Sequence, residues 1–255
     1  MNKNSFILLA GLFFICSCGS YKNVPYFQDL NKNSPSQKQI ENYSPLTIKA
    51  ADVIGINVSS RTPEASAIFN LNVINGSVNS ISAENPAVGY IVDQSGSIQL
   101  PLIGSLKVAG LTTSQLKDSL TRMLLTFYKD PVVSVRIINF KISIFGDVDK
   151  PNVYSLQNER TTITQALSLA GDLNITAVRN ITLIREENGK RMFIPMDLTS
   201  KKIFESPYYY LKNNDEIYVQ PDRTKYATVD RGYRVATLVL SGLSIIAIVL
   251  SNLYR

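Results

Sequence analysis

Histidine and tryptophan are absent from the 255 residues. Without histidine the chain has neither the commonest metal ligand nor the commonest general base near neutral pH, and a Ser-His-Asp set is excluded. Cysteine occurs only at Cys16 and Cys18. Everything from Gly19 onward is free of it, which excludes a disulfide framework, a cysteine metal site and a thiol nucleophile in the body of the protein. There is no glycine-rich phosphate loop. The acidic residues supply no substitute. Glu186-Glu187 falls at an expected hairpin tip beside Lys190 and Arg191, where solvated turn charge is the simplest reading. Asp147 and Asp149 fall at a strand end, where local turn bonding accounts for them. No catalytic residue, metal site or soluble cofactor is therefore expected. Charge is also missing locally: between Arg234 and Arg255 no residue is charged.

That uncharged interval, taken as a helix rising about 1.5 Å per residue, reaches roughly 30 Å, the depth of a bilayer core. A transmembrane helix is expected over 234–253, preceded by a basic linker over 223–233 carrying Arg223, Lys225 and Arg231. Anionic head groups suit such a run, and an acidic polysaccharide is a second reading. On a helical wheel Thr237, Ser241, Ser244 and Ser251 share a narrow arc, interrupted by Ile248. Small hydroxyl residues there suit a lumen or close helix contact, although four can align by chance.

The other end reads as an export signal over 1–17. Lys3 gives a short basic region and Phe6–Ile15 an apolar run too short to span. It ends at Ile15-Cys16-Ser17-Cys18-Gly19, which resembles a lipobox. The resemblance implies cleavage before Cys18 and a covalent lipid on Cys18; an ordinary signal peptide or an N-terminal anchor with incidental cysteines is the alternative. Gly19-Ser20, lacking an acidic residue, resembles the outer-membrane pattern. Removing Lys3 leaves a net charge near +5 from the formal +6, a weak match to an anionic surface or polymer. Residues 18–45 are polar, with Pro25, Pro35 and Pro45, and read as a tether. Tyr26-Phe27 is its one apolar spot, a candidate docking point on the first domain.

The body is expected to be α+β in two domains, 46–138 and 139–222. In the first, alternation marks a strand at Val53–Val58, while 61–88 is polar and small and reads as a long loop with at most a short helix. Tyr90–Asp93 and Ser97–Leu100 flank a turn at Gly96. Thr112 and Gln115 form a capping box, followed by Leu116, Leu120, Met123, Leu124 and Phe127 at helical spacing, then a strand at Val132–Ile138. In the second, strands are expected within 140–148, 153–156, 180–185, 192–197, 208–211 and 216–219. A helix over 163–170 is opened by a second box at Thr162 and Gln165. Tyr208-Tyr209-Tyr210 should alternate along a strand and serve packing or subunit contact, or else offer rings to sugars. The two domains echo each other loosely, without a repeat in letters.

The run D-x-x-G-x-I-x-L-P-L-I-G-x-L-K-V-A-G-L-T over 93–112, the capped helix, and Asp130-Pro131-Val132-Val133-Ser134-Val135 resemble the polysaccharide biosynthesis/export family, which includes the Wza-like outer-membrane translocons. Gly146-Asp147-Val148, Lys150-Pro151, Leu167–Gly171 and Asp215–Val219 resemble the SLBB module, a β-grasp-like unit that often follows the export domain. Two positions depart from that module's pattern: Asn152 stands for the usual glycine after proline, and Asp172 for the second glycine after Ala170. The second change alters a loop near a supposed ligand edge, so no soluble ligand is expected. The resemblance implies an outer-membrane lipoprotein that assembles as a homo-oligomeric ring and exports capsular polysaccharide or exopolysaccharide without bond chemistry. Its partner would be an inner-membrane polysaccharide co-polymerase, often with tyrosine-kinase activity; no nucleic-acid partner is implied. A membrane-anchored SLBB scaffold that forms no pore is the alternative.

Overall fold

The alternation at the start of the first unit becomes β1 (Val53–Ser59), with Ile54, Ile56 and Val58 buried. The computed structural model describes residues 24–31, 33–35, 37–74, 89–187, 189–226 and 231–253, with side chains left aside at 71–74, 231, 233, 234 and 251. The signal segment, Cys16 and Cys18 lie outside the described residues.

The stretch expected as a long loop, with at most a short helix, opens with a three-turn helix, α1 (Pro63–Ile74). Proline suits its first position, where no intrahelical N–H bond is lost. Its apolar anchor is Phe69, 1% exposed. Asn70 clamps it to β1: its Oδ1 accepts from the Val58 N–H at 3.0 Å and its Nδ2 donates to the Val58 carbonyl at 2.8 Å. A helix held by one ring and one amide carries little periodicity, which is why sequence alone does not reveal it.

Then follow β2 (Tyr90–Ile91), β3 (Ser97–Leu100), β4 (Gly104–Lys107), α2 (Thr113–Leu124) and β5 (Val132–Ile137). β2, β1 and β5 form one antiparallel sheet, and β3 and β4 a separate hairpin. Thr112 caps α2 with both reciprocal bonds of the capping box in place. The helix buries Leu116, Leu120 and Leu124. Met123 and Phe127 are exposed instead; Phe127 lies beyond the last helical residue, so the helical period no longer sets its direction.

The second unit comprises β6 (Lys141–Gly146), β7 (Asn152–Ser155), α3 (Ile163–Leu169), β8 (Asn180–Glu187), β9 (Lys190–Asp197), a 3-10 turn (Lys201–Glu205) and β10 (Glu216–Val219). Its sheet runs β7-β6-β10-β8-β9. The first and last strands, β6 and β10, are parallel neighbours, and the remaining pairs are antiparallel. Ile163, Ala166 and Leu167 of α3 join Ile142, Ile144, Ile181, Leu183, Ile217 and Val219 in the core. Gly146 has φ +103°, and a Cβ there would sit 2.0 Å from the Val219 carbonyl oxygen. Only glycine lets β6 turn away at this point, and the next N–H, of Asp147, bonds that same carbonyl at 2.9 Å. Tyr208–Leu211 is not a strand; its only ladder contact is a bridge from Tyr210 to Thr162. Tyr209 is nonetheless buried between half-buried Tyr208 and Tyr210.

The units meet at the N-terminal end of β6. Asn139 accepts from the Val53 N–H at 2.8 Å and donates to the Ala51 carbonyl at 3.0 Å. Asn213 donates to Asp52 at 2.8 Å, and Thr113 to Glu159 at 2.9 Å.

After the second unit come α4 (Arg223–Tyr226) and α5 (Arg231–Leu253). The linker expected over 223–233 is helical at Arg223–Tyr226 and again from Arg231. Among the described residues no helix is long and apolar enough to cross a membrane, so the transmembrane helix expected over 234–253 is not borne out.

Candidate functional site: a strap along the second unit

Residues 24–45 read as a free tether, with Tyr26-Phe27 meeting the first domain. They lie instead as a strap against the second unit. At one end Arg179, 7% exposed, donates through Nε to the Val24 carbonyl at 3.0 Å and through Nη1 to the carbonyls of Asn174 and Ala177 at 2.8 and 2.5 Å. The Tyr26 hydroxyl donates to Asp172 at 2.5 Å. Burial, and then that carboxylate, push the Tyr26 pKa above the ordinary phenol range, so it remains a donor. The Phe27 N–H bonds the Leu198 carbonyl, and its ring packs 4.8 Å from Phe204. Asp29 accepts from Ser200 Oγ at 2.7 Å and the Lys201 N–H at 2.6 Å. Further along, Asn42 donates to the carbonyls of Phe204 and Ser206. Tyr43 stacks edge-on with Tyr210, and Arg160 lies 4.6 Å from the Tyr43 ring. Leu46 and Ile48 then enter the core of the first unit.

The departure at residue 172 explains the latch. Asp172 has φ +75°, a left-handed conformation for which glycine is the easy choice and aspartate a tolerated one. Aspartate adds the carboxylate that Tyr26 uses. Asn152 has no such requirement; it sits in β7. A groove of about 500 Å³ remains between the strap and α3, lined by Tyr26, Phe27, Thr164, Leu167, Ser168, Gly171, Asp172 and Leu198.

Two buried charge clusters went unrecognised in the sequence. Asp147, with a fully buried side chain, accepts from Asn174 at 2.9 Å, Thr176 at 2.7 Å and Lys225 at 2.5 Å. This replaces the local turn bonding expected for it. Burial alone would raise its pKa, but the bonds from Lys225, Thr176 and Asn174 outweigh burial and hold the carboxyl below its usual range. Arg185 makes a bidentate pair with Asp215 at 2.8 and 2.6 Å and also donates to the Tyr210 carbonyl at 3.0 Å. By contrast, Glu186 pairs with Arg191 in solvent across the hairpin, while Glu187 is half-buried and pairs with Lys212 from outside it.

Among the described residues no group of three His, Cys, Asp or Glu could hold a metal ion. Of the expected arc, Ser241 Oγ donates to the Thr237 carbonyl at 2.8 Å and Ser244 Oγ to the Ser241 carbonyl at 2.7 Å. Both hydroxyls bond their own helix, as serines in helices commonly do. The side chain of Ser251, like the whole of Cys18, lies outside the described residues.

Residues 41–138 match the model of the polysaccharide biosynthesis/export protein family. Over 136 residues the chain is 31% identical to the EPS I polysaccharide export outer membrane protein EpsA of Ralstonia solanacearum, covering 52% of this chain and 36% of that protein. The EpsA of Ralstonia nicotianae is 29% identical over 135 residues, covering 52% and 35%. The chain thus spans little more than a third of the length of these relatives. The matched segment takes in β1 to β5 and the strap's last five residues, and over that segment the chain is similar to the polysaccharide biosynthesis/export protein family.

Proposed function

We propose that the protein is an outer-membrane lipoprotein subunit of an oligomeric channel that exports capsular polysaccharide or exopolysaccharide. The observation that carries this is the family match over 41–138, joined to the printed role of the Ralstonia relatives as polysaccharide export proteins of the outer membrane. Cys18 carries the lipid. The second unit is an SLBB module; its parallel first and last strands at the sheet's centre, with one helix in the core, support that reading. An inner-membrane co-polymerase is the partner and the polysaccharide the cargo. The apolar side chains of α5 are exposed along its described length, and lipid or the same helix in neighbouring copies would cover them. Electron microscopy of the detergent-extracted native complex tests the channel: closed rings are expected, and a uniform monomer would sink it. Placing leucine at Ser241 and Ser244 together should impair export and leave membrane attachment intact; unchanged export would mark the hydroxyl arc as incidental.

One observation favours a scaffold that forms no pore: among the described residues no helix is long and apolar enough to cross a membrane. The same micrographs separate the two readings.

A further inference from the structure

The loop 172–179 grips both segments that leave the second unit. Asp172 and Arg179 hold Tyr26 and Val24 of the strap. The Thr176 carbonyl accepts from the Asp222 N–H at 2.8 Å, and Val178 donates to Gln220 at 2.8 Å. Asp147, bonded to Asn174 and Thr176, holds Lys225 of α4. All of this lies at the C-terminal ends of β6 and β10. The first unit lies at the opposite end, beside Lys141 and Asn213, and a strand of this length separates the two ends by about 20 Å. The start of the strap and the segment that leaves β10 therefore lie at one pole, opposite the joint with the first unit.

That pole also has an apolar tip with charges of both signs beside it, Arg223 next to the exposed Asp222. Ile175 at its tip is 68% exposed and Tyr226 is 56% exposed, with Arg223 exposed on the same short helix. An exposed isoleucine and tyrosine beside the guanidinium of Arg223 have the chemistry of a surface that sits among lipid head groups. Chain length supplies the occupant. From Cys18 to the gripped Val24 there are six residue steps, at most about 22 Å when fully extended.

We propose that the 172–179 pole, through Ile175, Tyr226 and Arg223, rests on the anionic lipid head-group surface, and that the Tyr26–Asp172 and Arg179–Val24 latch holds it there. The inference rests on the reading of Cys18 as lipid-bearing. A coiled tether of residues 18–45 would let the second unit drift; a strap latched at Val24 leaves only the short leash ahead of it. The first unit then points away from the bilayer, with the length of the second unit between them.

The test uses the full chain, matured in cells, purified and reconstituted in phosphatidylethanolamine–phosphatidylglycerol vesicles. Acylation fills the only thiol of the mature chain, so Ile175→Cys and, at the opposite end, Lys190→Cys each add one free thiol for a fluorescent label. Lipids carrying a head-group nitroxide serve as quencher. Quenching at position 175 should exceed that at 190 several-fold. Tyr26→Ala combined with Arg179→Gln should reduce quenching at 175 without changing the intact mass of the lipidated chain. Equal quenching at the two positions in an acylated protein would overturn the inference and leave the lipoprotein reading standing. Quenching at 175 unchanged by the latch variant would remove the latch from it. An intact mass showing an unmodified Cys18 would overturn both readings together.

Discussion

The two units solve similar packing problems with different materials. Each opens its central helix with the same Thr-x-x-Gln box, fully formed at Thr112 and Thr162. Each buries rows of aliphatic residues from alternating strands. Among the described residues, however, the first buries a single charged side chain, Asp52, at the joint, whereas the second buries Asp147, Arg179, Arg185 and Asp215. Apolar packing is non-directional and tolerates repacking; a buried charge demands particular partners in particular places. The first unit is thus held chiefly by its volume, and the second by directed bonds that also fix what enters and leaves it.

The largest effect that could break this contrast is expected at Arg185. Arg185→Ala leaves Asp215 buried without its partner and should cost about 3–5 kcal/mol in chemical denaturation, with hydrogen exchange rising in the second unit first. A loss confined to the range of surface substitutions would end the claim that buried charge fixes this unit. Replacing Arg185 and Asp215 together by methionine and leucine should restore most of the loss, since packed apolar pairs often match buried ion pairs. In the first unit, Leu120→Ala should cost about 2–5 kcal/mol by cavity formation, with no such rescue by a polar partner.

Acid sharpens the same comparison. The folded pKa of Asp147 is depressed, so its contribution is present above the ordinary carboxylate range and fades as pH falls through the folded value. The stability gap between wild type and Asp147→Asn should therefore narrow as the medium is taken below about pH 4, the ordinary aspartate value. A gap that widens on acidification would show the sign to be wrong. The smallest effects should be shared: Thr112→Ala and Thr162→Ala each lose one cap, about 1 kcal/mol apiece in thermal melts. Unequal losses would point to tertiary burdens on one cap that the other lacks.

Local chemistry was legible in the sequence and distant pairing was not. The capping boxes, the β8–β9 hairpin and the turn at Gly96 carry their signal within a few residues, and the structure keeps them, although β3 pairs with β4 and β2 with β1 rather than with each other. α1 escaped because Phe69 and Asn70 hold it without an amphipathic stripe. Asp147 looked like a turn residue because Lys225, which makes it a clasp, comes 78 positions later. The strap looked like a tether because its polar side chains bond backbone groups and carboxylates 146 to 172 positions away. Composition cannot distinguish a polar segment wholly in water from one that bonds a distant unit at several points.

Those separations also bear on the order of events during folding. Contacts between residues so far apart in sequence must await closure of a long loop. Val24 and Tyr26 are among the first residues to emerge in synthesis, yet Arg179 and Asp172, which receive them, come about 150 positions later. The strap is therefore early in the chain and late in folding. Until the second unit has formed, Val24 and Tyr26 have no seat, so the strap closes over a body that is already built.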